Sequence, residues 1–99
     1  MAKGARITRK IAEKLAIQAL GYLAGEPERL GHFLAATGIG PEMIRKAAAD
    51  PCFLAGVLDH VVADEPLLIA VADHAGVAPQ DIEHAQAILS GRPWQREVR

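Results

Sequence analysis

Apolar residues recur along this chain at helical spacing. Leu54, Val57, Leu58 and Val61 follow the i, i+3, i+4, i+7 pattern of one helix face. The stretch from Leu67 to Ala72 is apolar almost all round, which predicts a fully buried helix. Each of the two runs opens on an acid-proline pair, Asp50-Pro51 and Glu65-Pro66. Together they are expected to form the core on which the rest packs. Upstream, the pattern predicts a helix from Thr8 to Ala24, with Thr8 as its N-cap and Gly25 as its C-terminal cap. Ile7, Ile11, Leu15, Gln18 and Tyr22 share one stripe of that helix, widened by Leu20 and Leu23.

Prolines set the remaining boundaries. Pro27, Pro41, Pro51, Pro66 and Pro79 each open an amphipathic run. Proline suits the first helical position, where its missing N–H is no loss. The predicted helices cover 27–37, 41–49, 51–63, 66–75 and 79–90, with Gly38, Gly76 and Gly91 closing three of them. No stretch alternates at period two, so no strand is predicted. The fold class is therefore all-α: one domain over 1–99, a bundle of five to six short helices, with 1–6 and 92–99 as flexible basic ends.

A weak internal repeat runs through the pattern. Leu30, Phe33, Gly38, Ile39, Pro41, Ile44 and Ala47 recur as Leu68, Val71, Gly76, Val77, Pro79, Ile82 and Ala85. Each copy reads as helix, tight turn, helix. Two copies are too few for a solenoid, so a pseudo-symmetric pair is expected.

Composition supports this picture. Half the residues are apolar, but only four are Phe, Trp or Tyr, so the core must rely on Leu, Ile, Val and many Ala. A chain of this size buries about two-thirds of its unfolded surface and needs no staple. The single Cys52 cannot form an internal disulfide, which suits a reducing compartment. Glu13 and Lys14 interrupt any apolar core of a signal peptide, and no apolar run approaches the roughly 18 residues of a membrane span.

Charge is unevenly placed. Residues 1–10 carry four cations and no acid, and 92–99 carry Arg92, Arg96 and Arg99 against Glu97. From Ala47 to Gly91 there is no Lys or Arg, but there are seven acids: Asp50, Asp59, Asp64, Glu65, Asp73, Asp81 and Glu83. Most lie at helix starts, where they cap free N–H groups or complement the dipole. Asp59 and Asp73 fall mid-helix and have no such role.

Candidate chemistry is sparse. The repeat resembles a DNA-binding helix-turn-helix, but 79–90 offers Asp81 and Glu83 to phosphates and no cation. Asp59-His60, Asp73-His74 and Glu83-His84 are acid-histidine pairs. Neighbours on a helix point about 100° apart, so no pair is a ligand set, and the favoured reading is solvated polar faces. Cys52, beside Phe53 and Leu54, reads as a buried structural thiol. Trp94 follows Pro93 in the basic tail and either folds back or anchors a partner.

The chain resembles a family of small alphaproteobacterial proteins known as domain of unknown function 3572. The resemblance rests on Ala19-Leu20-Gly21-Tyr22-Leu23-Ala24, Pro27-Glu28-Arg29-Leu30, Phe33-Leu34, Gly38-Ile39 with Pro41, Asp50-Pro51 with Phe53-Leu54, Val57-Leu58, and Glu65-Pro66-Leu67-Leu68. It covers 17–90 and implies a helical, bacterial, cytoplasmic protein. It brings no catalytic residue.

The functional expectation is a non-enzymatic protein-interaction or regulatory module with an acidic helical surface. Asp59 and Asp73 are its candidate residues, and a basic protein is its expected partner. The alternative is a nucleic-acid-associated protein using Lys3, Arg6, Arg9, Lys10, Arg92, Arg96 and Arg99. A small enzyme or metal binder using His60, His74 and His84 ranks lower. No cofactor, metal ligand, catalytic residue or membrane contact is expected.

Overall fold

Helix starts follow local hydrogen bonding. In the computed structural model, which describes residues 7–91, Thr8 is extended and its Oγ1 accepts from the Ile11 N–H at 3.1 Å, opening α1 (Arg9–Ala24). Asp50 accepts from the Cys52 N–H at 2.9 Å and opens α4 (Pro51–Val62). Asp64 accepts from the Leu67 N–H at 3.3 Å and opens α5 (Glu65–Ala75). These three acceptors satisfy N–H groups that no intrahelical carbonyl can reach. α2 (Pro27–Thr37) and α6 (Pro79–Leu89) begin on proline. In α6 the Asp81 carboxylate reaches back to accept from the Ala78 N–H at 3.1 Å. Pro66 is the second residue of its helix, because Asp64 takes the cap and Glu65 the first turn.

Left-handed glycines follow three helices, the third being Gly91 (φ 78°) after α6. Gly38 (φ 77°) follows α2 and Gly76 (φ 75°) follows α5. At the second, the Val77 N–H donates to the Ala72 carbonyl at 2.9 Å, a six-to-one bond that closes the helix end. No other residue type enters this region so cheaply. Gly25 differs: it caps α1 in a right-handed conformation (φ −88°) that any residue adopts.

The segment predicted as a helix over 41–49 is shorter. A 3-10 turn at Pro41–Met43 leads into α3 (Ile44–Ala47), a single turn. Asp50 must be extended (φ −97°, ψ 119°) to precede Pro51 and cap α4. That leaves few residues for α3, and none of its side chains is fully buried. A short helix without a buried face has little to sustain it. The repeat is accordingly lopsided. Ile82 and Ala85 are fully buried in α6, whereas their counterparts Ile44 and Ala47 are only half-buried. The turns repeat, but the second helices do not form a pseudo-symmetric pair.

α1 is the centre of the bundle, and it packs against α2, α4, α5 and α6. This corrects the expectation that α4 and α5 form the base. Ala12, Ala16 and Ala19 are fully buried, flanked by Leu15, Leu20 and Leu23. Small side chains let neighbouring helices approach closely. Of the predicted stripe only Leu15 is buried; Ile11 is 39% exposed. α4 buries Leu54, Ala55, Val57, Leu58 and Val61, as its spacing predicts. α5 buries Leu67, Leu68, Val71 and Ala72 but turns Ile69 to solvent, 52% exposed, so it is amphipathic rather than buried all round. The described residues share one apolar core that contains no buried polar side chain. The domain is all-α, with no strand among the described residues.

Candidate interaction surface

The acids of 47–91 divide by what they do locally. Asp50, Asp64 and Asp81 hold helix starts. Asp64 also pairs with Arg29 of α2 at 3.8 Å. Asp59 is exposed, but it is not idle: its Oδ1 accepts from Gln86 Nε2 at 2.6 Å, which ties α4 to α6 at the surface. Gln86 lies far along the chain, so sequence spacing could not pair it with Asp59. Asp73 is exposed and makes no such bond. With Glu65 and Ile69 it forms an i, i+4, i+8 row on the outward face of α5, acid–apolar–acid. Among the described residues, Arg29 is the one Lys or Arg within ion-pair distance of an acid of 47–91.

The histidines take separate places. His60 in α4 lies edge-on to Phe33 of α2, with ring centroids 5.2 Å apart. Burial there lowers its pKa below the ordinary histidine value; Asp64 opposes the shift and His32 adds to it. His74 stacks obliquely on Tyr22 of α1 at 5.4 Å. His84 lies half-buried on α6. Among the described residues, no group of three or more His, Cys, Asp or Glu could hold a metal ion. His32 and Arg29 are the residues that sequence reasoning missed. Nothing in spacing links α2 to the end of α4.

Cys52 is exposed, contrary to its reading as a buried thiol. The buried arc of α4 is set by Leu54, Val57, Leu58 and Val61, and position 52 lies outside it. The helix-turn-helix comparison also meets a packing fact. From Asp81 to Leu89 every residue of α6 is buried or half-buried, because α6 packs against α1, α4 and α5. An open depression elsewhere, lined by Leu20, Glu42, Ile44, Arg45 and Ala48, lies between α1 and α3. Lys3, Arg6, Arg92, Arg96, Arg99 and Trp94 lie outside the described residues. Of the N-terminal cations, Arg9 pairs with Glu13 at 3.6 Å and Lys10 is exposed.

The sequence that forms these helices has a counterpart in a known family. The family described as Protein of unknown function (DUF3572) matches residues 9–92. The chain belongs to this family. The match spans α1 to α6 and extends beyond the 17–90 that the resemblance covered, taking in Arg9, Lys10 and Arg92. DUF3572 brings no described activity, so it assigns no role to Asp59, Asp73 or any histidine. No curated protein and no solved structure matches the chain. Among the described residues, no helix is long and apolar enough to cross a membrane.

Proposed function

We propose that this DUF3572 protein is a non-enzymatic interaction or regulatory module whose acidic helical surface receives a basic protein partner. The observation that carries the reading is the outward row Glu65–Ile69–Asp73 on α5, acids that no Lys or Arg among the described residues balances. Asp59 extends the same negative half on α4, where its bond to Gln86 holds the carboxylate in place. A surface of one sign steers an oppositely charged partner and accelerates encounter. The exposed Ile69 adds apolar area between the two acids. The packing of α6 supports a protein partner over a nucleic acid, since the candidate recognition helix has little free face. The lone cysteine fits a cytoplasmic setting.

Charge reversal tests the reading. Asp59→Lys with Asp73→Lys is expected to slow association with a captured basic partner at least several-fold, with the larger effect at low salt. Association rates measured by surface plasmon resonance at two ionic strengths would show it. Binding indifferent to both the reversals and salt would remove the acidic surface from consideration.

A further inference from the structure

α2 is held to the domain by few features. Of its eleven residues only Phe33 is buried, while Arg29, Leu30 and Leu34 are half-buried, Leu34 against the core. Its N-cap residue Glu26 makes no side-chain bond, unlike Thr8, Asp50 and Asp64. Gly31 sits in mid-helix, exposed, with nothing within 4 Å of where a Cβ would project. No packing therefore requires a glycine there, and glycine is among the weakest helix formers. Segments with few buried contacts open at low free-energy cost.

The buried side chain of this helix lies against an ionisable ring. Phe33 meets two side chains of α4 edge-on, Phe53 at 5.8 Å and His60 at 5.2 Å. Two titratable groups act on His60. Asp64 lies one turn further along, and His32 lies across on α2 beside Phe33. Arg29 of α2 neutralises part of Asp64 from the same side.

We propose that α2 is a proton-sensitive clasp, which swings off the domain as a unit when His60 becomes charged and uncovers the aromatic seat of Phe33. With the helix closed, burial disfavours the imidazolium and lowers the His60 pKa. Opening returns the ring to water, where it titrates near its usual value of about 6.5. The open form therefore holds the proton more tightly, and opening takes one up. Closure is fully supported above about pH 6.5 and loses support as the pH falls from there through the lowered closed-state value. Asp64 moderates the response by favouring the charged ring. His32 adds to it.

Hydrogen exchange of the full chain, followed by mass spectrometry at about pH 7.5 and about pH 5.5 and corrected for intrinsic rates, tests this. Residues 27–37 should lose protection several-fold on acidification while α4 and α6 hold theirs. His60→Gln should abolish that difference, and His32→Gln, at an exposed site, should shrink it. Gly31→Ala should raise α2 protection about five-fold at both pH values without removing the response. Protection of 27–37 that does not depend on pH, or that changes equally in His60→Gln, would overturn the clasp. So would loss of protection throughout the domain together. The outcome is independent of whether a basic partner binds α5.

Discussion

Leu58→Ala should lower the unfolding free energy by about 2–5 kcal/mol, because truncating a buried leucine loses its transfer energy and leaves a cavity. Leu58 is fully buried in α4, between Val57 and Val61 in the shared core. α4 packs against α1, α5 and α6, so no single neighbour can collapse into the space without disturbing another. Urea denaturation gives the measurement, and an unchanged slope would show that the native and denatured states remain comparable. Ile69→Ala is the matched control. It removes a similar side chain from a position 52% exposed and should change stability by no more than about 0.5 kcal/mol. A loss below about 0.5 kcal/mol for Leu58→Ala would mean that α4 faces the other way.

Ala16→Leu should also destabilise, by about 1–3 kcal/mol, through the opposite fault. Ala16 is fully buried, on the helix that four others contact. A leucine there adds three carbons where the backbones come together, so helices must separate or rotamers strain. Leucine is nearly as good a helix former as alanine, so the loss cannot come from propensity. Ala24→Leu, exposed at the end of the same helix, should be close to neutral. Thermal melting resolves the difference, since a domain of this size shifts by about 4–8 °C per kcal/mol. A protein that accepted leucine at 16 without loss would not have α1 at its centre.

α1 also shows where a hydrophobicity pattern misleads. Large apolar residues draw attention to Ile11 and Tyr22, but the buried arc is marked by Ala12, Ala16 and Ala19. Alanine carries little hydrophobic signal, and its contribution is to let partner helices come close. Only the partners reveal that. α5 misleads in a different way. Its run from Leu67 to Ala72 has no polar interruption to mark an outward side, and Ile69 is exposed because α1, α4 and α6 all lie on the other side. The same limit hides the candidate chemistry. His60 becomes interesting because α2 lies over it, and Asp59 acquires Gln86 because α6 crosses α4.

What the sequence determined by itself is local: an all-helical chain, the starts of α1, α2, α4, α5 and α6 to within a residue, the turns at Gly38 and Gly76, and the inward face of α4. Each follows from short-range physics, in which a cap oxygen, a proline ring or a missing Cβ acts within a few residues of itself. The tertiary structure alone decided that α1 is central, that 41–49 yields a single turn, that Cys52 and Ile69 face solvent, and that His60 supports Phe33. Those outcomes depend on which surfaces meet across the bundle, and burial is a property of the assembled neighbours rather than of the residue.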